Sequence, residues 1–287
     1  MSALAHRTLV SAQALGAALQ DPSLRLVDAR ALLSDPAAGR AAWALSHLPG
    51  AVHADLDRDL SDHGRSGQGR HPLPEADAFA QRLGQWGIGP AHTVVAYDAG
   101  DGSMAAARAW WMLKLLGHER VAVLDGGLAA WRAAGLPETG AVDAPPALPP
   151  YPVRQFDPAR IVDADTVLAR LGEAPGWLLD ARAGERFRGE VEPIDPVAGH
   201  VPGAINRPFA MNLRDGRFRP AAELRAELEP LLHGRAPSQA VLMCGSGVTA
   251  CHLLLAMEHA GLAGAKVYAG SWSGWISDRS RPLATGP

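Results

Sequence analysis

Leu24-Arg25-Leu26-Val27-Asp28-Ala29-Arg30 and Trp177-Leu178-Leu179-Asp180-Ala181-Arg182 decide the fold. Each is a short apolar run that stops at an aspartate and continues Ala-Arg, once in each half of a 287-residue chain. Three more pairs follow in the same order. His47-Leu48-Pro49-Gly50-Ala51 matches His200-Val201-Pro202-Gly203-Ala204, and Val94-Val95-Ala96-Tyr97-Asp98 matches Ala240-Val241-Leu242-Met243-Cys244. Leu124-Asp125-Gly126-Gly127, with Trp131 beyond it, matches Tyr268-Ala269-Gly270-Ser271 with Trp275. Ordered matches of this kind mark a duplicated plan. Within each copy, runs of strand length (93–97 and 240–243, 121–124 and 266–269) alternate with helical stretches at 104–116, 221–232 and 250–259. Such alternation predicts parallel sheets covered by helices, hence an α/β protein of two tandem domains.

Between the copies, residues 141–152 carry prolines at 145, 146, 149, 150 and 152. Proline at this density favours an extended, semi-rigid connector. The predicted division is a first domain over 1–140, a linker over 141–152 and a second domain over 153–287. The length, about twice that of one ordinary domain, agrees. A content of 47% hydrophobic and 20% charged residues fits two globular cores and excludes a disordered chain. The net charge of −3 gives no electrostatic reason to bind nucleic acid or an anionic membrane. No run approaches the roughly 18 apolar residues of a membrane span, and residues 1–8, with His6 and Arg7, lack a signal-peptide core. Two cysteines, Cys244 and Cys251, cannot build a disulfide framework, so a reducing cytoplasmic setting is expected. Only Lys114 and Lys266 are lysines, so arginine is the default surface cation and a single Arg is weak evidence for a site.

The chemistry-bearing segment is Cys244-Gly245-Ser246-Gly247-Val248-Thr249-Ala250, predicted to lie between a strand and a helix. Ligands of open α/β sheets sit beyond the carboxyl ends of the strands. Two glycines let the backbone curl and turn its amides inward, and the following helix N-terminus adds positive partial charge. A cysteine at the centre of such an anion nest is favoured as the reactive thiolate, against the plainer reading of a packed core thiol. Cys251, two helical turns on, reads as inert core. The loop formally fits a dinucleotide fingerprint, but the next strand ends at Tyr268-Ala269 without the required acid. A phosphate-clamping arginine six residues past the cysteine is also missing, since position 250 is alanine. A cradle for a sulfur anion carried on the cysteine itself is what remains. His47 and His200, each before Pro-Gly in repeated turns, read as structural, and no histidine pair has zinc spacing.

With these motifs, the chain resembles the rhodanese superfamily, in particular its tandem-domain 3-mercaptopyruvate sulfurtransferases. The resemblance runs over nearly the whole sequence, from the paired Asp-Ala-Arg strand ends to Gly270-Ser271-Trp272. It implies a non-catalytic first domain, with Asp98 at the cysteine position, and a catalytic second domain. It also implies that Cys244 takes sulfur from a small-molecule donor as a persulfide and passes it to a thiol (a small thiol or a thioredoxin-like protein) or to cyanide, releasing pyruvate. The amides of Gly245, Ser246, Gly247, Val248 and Thr249 would cradle the persulfide, with no metal or cofactor. Ser246 matches the family's proton-relay serine. His71 and Asp57 match its histidine and aspartate, although Asp55, Asp59 and Asp62 compete for the last role. Arg186 matches the substrate arginine, with Arg188 a second candidate, while Asp195 stands where a second basic residue is usual. The glycines of residues 64–69 suggest flexibility before His71. Uncharged Gly245 and Ser246 favour mercaptopyruvate over thiosulfate, whose users carry cations there. A thiosulfate sulfurtransferase and a non-catalytic persulfide carrier are the alternatives.

Overall fold

A computed structural model describes residues 8–100, 105–153 and 155–287. The N-terminal residues 1–7 and Met104, the predicted helix start, lie outside the described residues. The chain divides into two compact units, Met1–Asp62 with Leu73–Asp157, and His63–Pro72 with Pro158–Pro287.

The first unit holds strands β1 (Leu9–Val10), β2 (Leu24–Asp28), β3 (Ala51–His53), β4 (Thr93–Tyr97) and β5 (Val121–Leu124). Its helices are α1 (Ala12–Ala17), α2 (Ala38–Leu45), α3 (Ala76–Gln85), α4 (Ala105–Leu115) and α5 (Gly127–Ala133). The strands form one parallel sheet in the order β1-β5-β4-β2-β3. Every residue of β4 is buried, as a parallel strand covered on both faces requires, so its sequence is a continuous apolar run.

The second unit repeats this plan with β6 (Ile161–Val162), β7 (Leu178–Asp180), β8 (Ile205–Asn206), β11 (Val241–Met243) and β12 (Lys266–Tyr268), in the order β6-β12-β11-β7-β8. A small antiparallel pair, β9 (Leu213–Arg214) and β10 (Arg217–Phe218), is added. Its helices are α6 (Ala164–Ala169), α7 (Gly184–Phe187), α8 (Ala221–Leu228), α9 (Thr249–His259) and α10 (Ser271–Trp275). The helix predicted over 221–232 stops at Leu228 and gives way to a 3-10 turn at Pro230–Leu232. Pro230 has no N–H for the ladder and its ring crowds the preceding turn.

The repeated motifs hold equivalent places in the two units. Arg30 pairs with Asp28 and reaches the Ser46 carbonyl at 2.6 Å, while Arg182 pairs with Asp180 and reaches the Gly199 carbonyl at 2.9 Å. His47 Nδ1 bonds the Trp43 carbonyl at 2.7 Å, and His200 Nδ1 bonds that of Phe187 at 2.8 Å. Trp131 and Trp275, both fully buried, donate their indole N–H to the carbonyls of Pro137 and Pro282.

The units differ from the expected division at 141–152. The proline-rich segment belongs to the first unit, which continues to Asp157. Leu148 N–H and Tyr151 N–H donate to the carbonyls of Gly84 and Ala80 on α3. A β-carbon at Gly84 would meet the Leu148 and Pro149 carbonyl oxygens at 2.8 and 2.7 Å, so this approach needs glycine. Residues 63–72, expected in the first domain, belong to the second unit. Among the described residues no helix is long and apolar enough to cross a membrane.

Candidate active site

In the second unit the strand order reverses at β11 and β7: the chain leaves β11 for β12 on one side and β7 for β8 on the other. A crevice at such a reversal is where α/β sheets bind ligands. Cys244 directly follows β11 and is buried. The loop after it turns back on itself at Gly247, whose φ is +80°. There a β-carbon would lie 2.3 Å from the Ala269 carbonyl oxygen, so only glycine fits. The turn aims the Gly247 N–H at Cys244 Sγ, 3.1 Å away. Cys251 Sγ, also buried, reaches the Gly247 carbonyl at 3.1 Å.

The loop is stapled to the start of α10. Trp272 N–H and Ser273 N–H, which have no partner within their own helix, donate to the carbonyls of Cys244 and Gly245, both at 2.9 Å. Ser271 holds the cysteine from behind: its Oγ accepts the Cys244 N–H at 3.0 Å and bonds the Tyr268 carbonyl at 2.9 Å. Ser271 is buried, with a left-handed φ of 52° that few non-glycine residues adopt. Sequence reasoning passed over it. The signal was in the repeat, where Gly127 takes the same step with φ 53°.

His71 is buried, and its Nδ1 lies 2.8 Å from Ser246 Oγ. The glycine-rich segment before it, read as flexible, has a close-packing use. Gly69 adopts φ +93°, and a β-carbon there would lie 2.5 Å from the Gly270 carbonyl oxygen. Arg70 N–H then donates to Ser273 Oγ at 2.9 Å. Asp57 is in the first unit, where its N–H donates to Asp55 Oδ1. Its competitors are committed to the turn: Asp55 Oδ1 also takes the Arg58 N–H, and Asp59 caps the Asp55 N–H and pairs with Arg82 at 2.8 Å. Burial pushes the Asp59 carboxyl above its ordinary range despite these contacts. Asp62 also belongs to the first unit.

Of the two candidate arginines, Arg186 faces the cysteine loop. A β-carbon on Gly245 would lie 3.6 Å from both its terminal nitrogens. Its fork is held by Glu192, at 2.6 Å from Nη2, and by Asp195 at 3.1 Å. Burial raises the Glu192 carboxyl, but the Arg186 bonds and two backbone amides outweigh this and hold it below its ordinary range. Arg188 instead ends in a two-pronged pair with Glu190 at a half-exposed position. Arg70, which sequence reasoning did not single out, also reaches Gly245: its Nη2 would lie 3.3 Å from a β-carbon there. Among the described residues no group of three or more His, Cys, Asp or Glu is arranged to hold a metal ion.

The rhodanese-like domain family matches this chain twice, at residues 11–134 and 163–278. A Pseudomonas aeruginosa protein, provisionally named 3-mercaptopyruvate sulfurtransferase, is 50% identical over 97% of this chain and 98% of its own length. A Mycobacterium tuberculosis relative, provisionally named thiosulfate sulfurtransferase SseB, is 41% identical over 98% of each chain. The solved structure of the 3-mercaptopyruvate sulfurtransferase from Leishmania major superposes with a TM-score of 0.83 at 30% identity, covering 93% of this chain and 74% of that one. This chain belongs to the rhodanese family and carries two of its domains in tandem. It is a sulfurtransferase, an enzyme that moves sulfur from a donor to an acceptor.

Proposed function

We propose that the chain takes the sulfur of 3-mercaptopyruvate onto Cys244 and passes it to a thiol, either a small one or that of a thioredoxin-like protein. The observation that carries this reading is the 2.8 Å hydrogen bond between His71 and Ser246, two residues from a cysteine sulfur that already receives the Gly247 amide. The Cys244 thiolate attacks the donor sulfur, forming the S–S bond as the C–S bond breaks. The electron pair of that bond goes to carbon as the enolate of pyruvate. Ser246 delivers a proton to it and is resupplied through His71, giving pyruvate. The amides of Gly245, Ser246, Gly247, Val248 and Thr249 hold the persulfide as a fixed dipole cage. An acceptor thiolate, or cyanide in an assay, then attacks the outer sulfur and expels the Cys244 thiolate. Arg186 binds the donor carboxylate through its planar fork.

Thiosulfate is the second reading. The two guanidinium groups beside Gly245 supply cations that the loop sequence itself lacks, and a dianion could use them. The test compares kcat/KM for the two donors with one shared thiol acceptor, in the wild type and in Ser246→Ala. A preference for mercaptopyruvate of about tenfold or more, roughly 1.4 kcal/mol, is expected. Ser246→Ala should slow mercaptopyruvate by about 100-fold and thiosulfate far less. A wild-type preference for thiosulfate, or equal losses with both donors, rejects the mercaptopyruvate relay. Stable persulfide without turnover of either donor makes the chain a carrier.

A further inference from the structure

We propose that Ser273 is the positioning residue of the proton relay, holding Ser246 and His71 at hydrogen-bond distance by bonding the residue before each. This rests on the mercaptopyruvate reading above, in which Ser246 and His71 carry the proton, and adds the group that keeps them in register. The Ser273 N–H donates to the carbonyl of Gly245, the residue before Ser246, at 2.9 Å. Its Oγ accepts the N–H of Arg70, the residue before His71, also at 2.9 Å. The two relay members are 175 positions apart in the sequence. One residue of α10 joins the segments that carry them.

The first unit shows which part of this arrangement is framework. There Leu128 N–H and Ala129 N–H donate to the carbonyls of Asp98 and Ala99 at 2.9 and 3.1 Å. Trp272 N–H and Ser273 N–H do the same to Cys244 and Gly245. The backbone staple is therefore common to both units, and the side chain is not. Ala129 stands where the second unit has Ser273, and Ala130 where it has Gly274. Both differences bear on the segment that leads into His71. A β-carbon on Gly274 would lie 3.2 Å from the Gly69 nitrogen, and one on Gly69 would lie 3.0 Å from Ser273 Oγ. Ser277 Oγ also donates to the Gly67 carbonyl at 3.2 Å. Glycine at 274 lets the segment approach, and the Ser273 hydroxyl fixes its register.

His71 Nδ1 and Ser246 Oγ are 2.8 Å apart, within the roughly 2.6–3.2 Å that proton transfer needs. Without the hydroxyl, the Arg70 N–H loses its acceptor and the segment must shift to find another. A misplacement of about 1 Å can cost on the order of 100-fold in rate. Cys244 is held by other groups: Ser271 Oγ, the Gly247 N–H and the Trp272 N–H. Losing the Ser273 hydroxyl should therefore impair proton delivery and leave sulfur capture intact.

The test measures kcat and KM for mercaptopyruvate, the inhibition constant of pyruvate, and kcat/KM for thiosulfate. The proteins are wild type, Ser273→Ala, Ser246→Ala and the double variant. Alanine at 273 reproduces the residue that the first unit carries there, and thermal melts check that each variant is folded. Ser273→Ala should lower mercaptopyruvate kcat by about 10-fold or more. Its KM and pyruvate constant should stay within about twofold, and its thiosulfate kcat/KM within about threefold, of wild type. The double variant should be no worse than Ser246→Ala alone, because Ser273 acts through the relay. Unchanged kcat in Ser273→Ala, equal losses with both donors, or additive losses in the double variant overturn the positioning role alone. A wild type that does not turn over mercaptopyruvate, or a fully active Ser246→Ala, overturns the relay reading itself.

Discussion

Ser271 and Gly127 take the same step in the two units with nearly the same backbone, φ 52° and 53°. For a residue with a β-carbon that conformation costs about 1–2 kcal/mol. The first unit avoids the strain with glycine. The second accepts it and gains a buried hydroxyl that receives the Cys244 N–H. Strain kept at an active loop generally persists because the surroundings hold it in place. The two effects separate by substitution. Ser271→Ala keeps the strain and loses the hydroxyl, so it should be destabilised by about 1–3 kcal/mol. Ser271→Gly loses the hydroxyl but relaxes the backbone, so it should melt as a protein about 1 kcal/mol more stable than Ser271→Ala. Both should load sulfur more slowly, by similar factors. Denaturant titration checks the order, and equal stability of the two variants rules out strain at this position. The Gly-to-Ser change is visible in the aligned repeat, but its meaning depends on a dihedral angle that residue types do not spell out.

Short elements were the least legible. The two-residue edge strands β1 and β6 carry too few residues for an alternation pattern, and neighbouring strands define them. The proline-rich segment forms neither helix nor strand, and proline content does not say what such a chain lies against. Here it lies on α3 and is pinned at its end by Tyr151, whose hydroxyl lies 3.0 Å from His118 Nδ1. Burial pulls His118 down to about 4, because a charged imidazole would be desolvated there. The unfolded chain takes up that proton at about pH 6.5, while the folded chain resists it until about pH 4. The stability this residue contributes is therefore complete above the ordinary histidine range and is lost as pH falls from about 6.5 through about 4. His118→Asn keeps a polar partner for Tyr151 and removes the titration. The wild type should lose up to about 3 kcal/mol more than His118→Asn between neutral pH and pH 4. Parallel pH profiles of the two melting temperatures refute this account.

Across the whole molecule, the two units share one framework and differ at the end of the central strand. The Asp-Arg pairs, the turn histidines and the closing tryptophans occur in both units, whereas the end of the central strand carries Asp98 in one and Cys244 in the other. Mass spectrometry after donor treatment should find one transferred sulfur per chain, absent in Cys244→Ser and retained in Cys251→Ser. Two sulfurs, or retention in Cys244→Ser, would assign the nucleophile elsewhere. The sequence by itself determined the tandem α/β plan, the family and the cysteine loop. These rest on local quantities written along the chain: apolar run length, glycine and proline positions, and the spacing of repeated motifs. Only the tertiary structure decided that Arg186 faces the loop while Arg188 pairs with Glu190, that His71 meets Ser246, and that Arg70 shares Asp195 with Arg186. These pairings join positions as far apart as 71 and 246. They depend on close backbone approaches, such as Gly69 against Gly270 and Gly274, that exist only after the sheet has ordered its strands and α10 has closed over the loop.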